Sequence, residues 1–319
     1  MILVLSTLLL TIALAGFGAY ILAMIKSAQA VKKYPVIGQM VEVNGTKIHA
    51  MVMGAGPDLV MIHGSSGNLR DFTTSLAPQL AKRYRVILID RPGLGHSEGF
   101  DPGGETLRDQ ALMLRDVSLQ LGAKKPLVLG QSYGGAVALA WALHAPDNLS
   151  ALIVLSAPSH PWPTGLSIFY KATSAPLLGP FASLLISAFA SEKAIQKSLS
   201  ETFKPQSIPQ GYRANLGIEL YLRPRTLLSN ARQRRILKRQ IREMAPNYLK
   251  ITTPVEILHG TSDDIVSFEL HAEALARDIP AATLTELKGI GHMPHHCDQD
   301  AVHGAINRAA ERAGLHSPQ

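Results

Sequence analysis

The chain has 319 residues, 46% hydrophobic and 17% charged, with a net charge of +7 and a single cysteine. That balance excludes a disordered polypeptide, and a lone Cys297 excludes an internal disulfide scaffold and a cysteine-built metal site. The length fits one main domain with an added subdomain.

Residues 1–25 contain no charged side chain. As a helix rising 1.5 Å per residue they would exceed the roughly 30 Å hydrocarbon core of a bilayer. We expect a single-pass N-terminal transmembrane anchor at 1–25, followed by a linker at 26–39. Against a cleaved signal peptide stand the missing Lys or Arg before the run and the length of the run. In its favour stands Ala28-Gln29-Ala30, a small-x-small site, so export after cleavage is the alternative. Lys26, Lys32 and Lys33 follow the span, and the positive-inside bias then places the rest of the chain in the cytoplasm.

From Met40 to Met53 apolar and polar residues alternate on either side of Asn44-Gly45, the signature of a hairpin closed by a type I′ turn. Apolar runs recur at 58–62, 85–89, 126–129, 152–155, 255–258 and 283–287, mostly separated by helix-length segments. Strands alternating with helices imply an α/β fold with a mostly parallel sheet covered on both faces. The core is expected in two parts, 40–156 and 251–319. Between them, 157–250 lacks this strand spacing and holds nine prolines, which reads as an inserted subdomain of short helices and turns.

Three loops carry chemistry. Gly130-x-Ser132-x-Gly134 lies between an apolar run and an alanine-rich helix pattern. A strand that turns sharply into a helix needs residues without a Cβ beside the turn, and the residue between them projects its hydroxyl outward. The pattern alone occurs by chance roughly 0.1 times in a chain this long, so its surroundings carry the weight. Asp263 and Asp264 follow the run at 255–258, and His292 follows the run at 283–287. Loops after the C-terminal ends of parallel strands gather along one sheet edge. A serine needs an imidazole to take its proton, and a carboxylate fixes that imidazole's tautomer.

With these residues in the order Ser132, acid, His292, the chain resembles the serine-nucleophile α/β-hydrolases over roughly residues 40–312, the insertion apart. The resemblance implies an α/β-hydrolase fold in which 157–250 is a helical cap over the serine. Gly260-x-x-Asp263-x-x-Val266 is similar to the family's acid loop, which selects Asp263 over Asp264. His63-Gly64-Ser65-Ser66-Gly67 resembles its oxyanion loop, implying that the backbone N–H groups of Ser65 and Tyr133 stabilise a tetrahedral oxyanion. His63 is then a structural loop histidine. The turn from Asp90 to Ser97 also matches the family; relatives with an aspartate nucleophile share it, but the elbow here carries Ser132.

The basic charge sits in the insertion, where 157–250 holds 14 Lys or Arg against 4 Glu and no Asp. Its densest part, 232–242, places Leu237, Ile241 and Met244 on one helical face. This reads as a cap helix with an apolar underside and a solvated basic face; attraction to an anionic membrane surface is the alternative, and no nucleic-acid-binding motif accompanies the charge. The apolar stretch 166–190 either lines a substrate pocket or buries itself in the cap. His292, His295 and His296 lie close in sequence but lack an evident carboxylate or cysteine partner, so we expect no metal. No phosphate loop or dinucleotide fingerprint occurs, so we expect no cofactor.

The leading expectation is a membrane-anchored serine hydrolase acting on an ester or related acyl bond of a small hydrophobic substrate. Carbon–carbon bond hydrolysis and haloperoxidase-like chemistry on the same fold are alternatives. So is a noncatalytic, membrane-tethered binding protein that keeps the fold.

Overall fold

A computed structural model describes residues 1–100 and 105–315 of the chain. Residues 101–104 and 316–319, which fall in the expected core segments 40–156 and 251–319, lie outside the described residues.

Eight strands form one sheet: β1 (Gln39–Val43), β2 (Thr46–Met53), β3 (Asp58–Ile62), β4 (Arg85–Ile89), β5 (Leu127–Gln131), β6 (Ala151–Leu155), β7 (Val255–Gly260) and β8 (Ala282–Leu287). Their order across the sheet is β1-β2-β4-β3-β5-β6-β7-β8. The hairpin β1–β2 is antiparallel and pairs antiparallel with β4, and every pair from β4 to β8 is parallel. At the hairpin turn Asn44 and Gly45 have φ of 50° and 77°, as a type I′ turn requires.

Fourteen helices are described: α1 (Ile2–Lys33), α2 (Arg70–Thr73), α3 (Leu76–Leu80), α4 (Leu107–Gln120), α5 (Tyr133–His144), α6 (Ile168–Thr173), α7 (Gly179–Phe189), α8 (Glu192–Phe203), α9 (Tyr212–Leu216), α10 (Ile218–Tyr221), α11 (Pro224–Met244), α12 (Ala274–Asp278), α13 (Pro294–Cys297) and α14 (Gln299–Arg312). Because strand side chains alternate, Val60, Ile62 and Val128 pack on one face with residues of α4 and α5. Leu59, Met61 and Leu127 pack on the other with residues of α3 and α14. Burial on both faces is why the central strands are apolar throughout.

Helices α6–α11 lie between β6 and β7. In α11 the expected underside is buried, with Leu237, Ile241 and Met244 in the core, while Arg235 and Arg239 face solvent.

The helix at the start of the chain extends past the expected anchor. Helix α1 runs to Lys33, well into the region 26–39 assigned as linker, because 26–33 holds good helix formers with no Gly or Pro to stop it. The helix packs on the cap along its length: Ala19 and Ala23 bury against Ala188 of α7, and Ala30 in the added turns buries with Tyr34 and with Leu220 of α10. Among the described residues, α1 is the one helix long and apolar enough to cross a membrane, a test that a signal sequence also passes.

Candidate active site

The sheet order sets the site. Between β3 and β5 the chain changes direction across the sheet, and crevices at such switch points open beyond the C-terminal strand ends. The segments leaving β3, β5, β7 and β8 carry Ser65, Ser132, Asp263 and His292 respectively.

Ser132 sits between β5 and α5 with φ 51° and ψ −120°, a backbone conformation that L-residues other than glycine adopt at a cost. The neighbouring glycines make it attainable. A Cβ at Gly130 would collide with the carbonyl of Gly134, and one at Gly134 with the carbonyl oxygen of Ile62 on β3. The strained turn is held by the Ser132 N–H donating to Leu155 O at 2.8 Å.

Ser132 Oγ lies 2.9 Å from His292 Nε2, and His292 Nδ1 lies 2.7 Å from Asp263 Oδ2. A carboxylate only accepts, so Nδ1 carries the proton and Nε2 is free to accept from the hydroxyl. Asp263 is fixed on its other side, where Oδ1 accepts from the N–H groups of Ile265 and Val266 at 2.9 Å each. Burial would raise the Asp263 carboxyl, but the charge of His292 and hydrogen bonds from His259 and His292 hold it below the usual carboxylate range. Asp264 is exposed.

The oxyanion-loop residues are placed as follows. Ser65 lines the cavity over Ser132, and Tyr133 contributes the first N–H of α5. Among the described residues neither amide donates to a backbone carbonyl. The Tyr133 side chain is fully buried, its ring 4.3 Å beneath the Arg91 guanidinium. His63 is also fully buried: Nδ1 meets Gly64 O at 2.9 Å, and Nε2 accepts the Arg91 N–H at 3.0 Å. Burial and then the Arg91 charge push its pKa down to about 4. A neutral ring bonded on both nitrogens is a structural part.

The cavity over Ser132 measures about 570 Å³. Ser132, His292, Ser65 and Gln131 line its floor, and the cap supplies Ile186, Ile195, Leu199 and Leu227 among others.

A model of the alpha/beta hydrolase family matches residues 59–305, most of the chain. The chain belongs to the alpha/beta hydrolase family. Among curated relatives, the pimeloyl-[acyl-carrier protein] methyl ester esterase of Vibrio campbellii is 35% identical over 125 residues, covering 37% of this chain and 45% of that enzyme. Among solved structures, the meta-cleavage product hydrolase of Pseudomonas fluorescens IP01 superposes with a TM-score of 0.70 at 20% identity, covering 87% of this chain and 98% of that one. An esterase of Exiguobacterium antarcticum gives a TM-score of 0.67 at 23% identity, covering 86% and 99%. At these identities the two superpositions speak to the fold alone.

Three residues around this α/β hydrolase site escaped the sequence. Arg91, fully buried and without a carboxylate partner among the described residues, donates to the carbonyls of His63 and Gly64 and to the side chains of Gln110 and Gln233, tying the oxyanion loop to the cap. Gln131 donates to His292 O at 3.2 Å, bracing the histidine loop. Asp71 corrects the expectation that His295 and His296 have no acidic partner. Its carboxylate lies 3.0 Å from Nε2 of both rings and accepts from Tyr212 of the cap at 2.9 Å. The ligand atoms of Asp71, His295 and His296 lie within 4.8 Å of one another, close enough to converge on an ion. The signal for Asp71 was absent because 224 residues separate it from His295.

Proposed function

We propose that this α/β hydrolase is a serine hydrolase, anchored in a membrane by α1, that cleaves an ester or related acyl bond of a hydrophobic substrate. The observation that carries the reading is the unbroken run of contacts from Ser132 Oγ to His292 to Asp263 at 2.9 and 2.7 Å. Ser132 attacks the acyl carbon while His292 Nε2 takes its proton, and Asp263 stabilises the resulting imidazolium. The oxyanion receives hydrogen bonds from the amides of Ser65 and Tyr133, each such donor typically worth about 3 kcal/mol. His292 then protonates the leaving group, and water, activated by the same ring, releases the acyl group from Ser132.

The apolar cap side chains over Ser132 favour a hydrophobic acyl chain. The esterase relative favours oxygen-ester cleavage, and the meta-cleavage neighbour keeps carbon–carbon bond hydrolysis as the second reading. With Lys26, Lys32 and Lys33 following the span, the catalytic domain faces the cytoplasm.

A fluorophosphonate probe tests the nucleophile: it should label the wild type and not Ser132→Ala. An unlabelled, folded wild type that also fails on a panel of esters would refute the reading. A panel that includes vinylogous diketones separates ester from carbon–carbon cleavage.

A further inference from the structure

We infer that helices α6 and α7 of the cap rest in the surface of the bilayer beside α1, and that the substrate is a membrane-dissolved acyl lipid reaching Ser132 from the lipid side. This rests on the readings of α1 as a bilayer helix and of Ser132 as the nucleophile.

The first observation is a concentrated apolar surface. Beyond residue 33, eleven large apolar side chains are exposed among the described residues, and six of them fall within 168–189. Leu177 is 90% exposed, Ile168 85%, Leu178 68% and Phe189 63%. Leu178, Phe181 and Phe189, at spacings of three and eight, expose one stripe along α7. A contiguous apolar patch on a soluble domain is costly, and such patches mark contact surfaces.

The second observation identifies what covers it. Helix α7 is packed side by side with α1, where Ala19 and Ala23 allow Ala188 a close approach and Leu22, Leu184 and Leu185 fill the seam. Lys26 Nζ donates to Ala188 O at 2.6 Å, fixing the C-terminal end of α7 to the first charged residue after the apolar run. In the bilayer, that residue marks the level at which α1 leaves the hydrocarbon. The stripe on α7 therefore lies at the headgroup and acyl boundary, the depth an interfacial helix occupies. Phe17, Tyr20 and Ile21 of α1 are exposed on the adjoining turns, so the apolar surface runs on from helix to helix.

The third observation joins this surface to the site. Phe169 of α6 and Ile186 of α7 line the cavity over Ser132. A second cavity of about 280 Å³ lies between α1 and the cap, bordered by Lys26, Gln29 and Ala30, and it shares Ala190, Ile195 and Leu222 with the first. That second cavity is walled largely by charged and polar side chains, Lys26, Glu192, Arg213, Glu219 and Arg223 among them, so an acyl chain enters from the lipid boundary past Phe169 and Ile186, whose helices carry the apolar surface. Crossing water would instead expose each methylene of the chain to solvent.

The test uses the full chain in phosphatidylcholine–phosphatidylglycerol vesicles, in a Cys297→Ser background with an environment-sensitive NBD label at one of three positions. Label at Phe181→Cys should emit blue-shifted light and be quenched by lipids spin-labelled near the headgroup. Label at Leu10→Cys should be quenched by deep spin labels, and label at Glu311→Cys by aqueous iodide. Lipid quenching at 10 with iodide quenching at 181 overturns the inference while the anchor stands. Iodide quenching at 10 removes the anchor and the inference together. In the kinetic arm, Leu177→Ser, Leu178→Ser and Phe181→Ser combined should lower turnover of p-nitrophenyl palmitate held in vesicles about tenfold, with dissolved p-nitrophenyl acetate unaffected. Equal losses on both esters, or none, overturn the lipid-side route. If the wild type cleaves neither ester, the serine reading fails and the route with it, while the label at 181 still decides the bilayer contact.

Discussion

At the scale of single residues, the neighbouring acids Asp263 and Asp264 part company. Asp263 is buried with both oxygens engaged, whereas Asp264 is exposed. Asp263→Asn replaces one acceptor oxygen with a donor and strips the imidazolium of its counter-charge, so kcat should fall about 10³–10⁴-fold with KM little changed. Asp264→Asn should stay within about twofold. Comparable losses in the two variants, read by steady-state kinetics on one ester, would assign the histidine's partner wrongly. Arg91 offers a second residue-scale prediction. A lysine presents a point charge where the guanidinium fork reaches four acceptors, so Arg91→Lys leaves buried oxygens unpaired and should cost about 2–4 kcal/mol in urea unfolding.

At the scale of elements, the strand-to-helix turn is the demanding part. Gly134 lets α5 approach β3 so closely that its missing Cβ would overlap Ile62 O. Gly134→Ala must push the helix off the strand, moving Ser132 and the Tyr133 amide together. We expect a loss of about 2 kcal/mol or more in stability and a larger proportional loss in kcat than in substrate binding. Unchanged kcat in a destabilised variant would show that the turn serves packing alone. The glycine spacing displayed this element in the sequence because backbone clearance is a local requirement. Helix α1 outruns its apolar stretch at the same scale, since charge at Lys26 ends an apolar run without ending a helix.

For the whole molecule, buried histidines set the acid limit. His63 accepts an N–H from Arg91, and His271 accepts from Ser159 and His160, so protonating either ring breaks a hydrogen bond as well as burying a charge. Burial is the main cause of both pKa values falling to about 4, from an ordinary value near 6.5. Between those values the unfolded chain binds protons that the folded chain refuses, so stability falls as pH falls through the window and is retained above it. Each ring contributes a slope of up to about 1.4 kcal/mol per pH unit there. The depressed Asp263 acts in the same direction at lower pH, its contribution present above the ordinary carboxylate pKa and lost on acidification below it. Unfolding midpoints in detergent at pH 7, 5.5 and 4.5 should descend; a flat series would contradict the neutral rings. The full chain should also stay with membranes through alkaline carbonate, and its release would place α1 outside the bilayer.

The sequence by itself determined what local patterns can encode: the strand and helix rhythm, the hairpin at Asn44-Gly45, the glycine-flanked Ser132, and the order of serine, acid and histidine. Each depends on neighbours a few residues away, or on strand ends that a parallel sheet aligns automatically. Tertiary structure alone decided which groups meet across the fold. It buried Arg91 between the loop after β3 and the side chains of Gln110 and Gln233, brought Asp71 to His295, and laid α7 against α1, because burial and hydrogen-bond satisfaction act between surfaces whose residues stand scores to hundreds of positions apart in the chain.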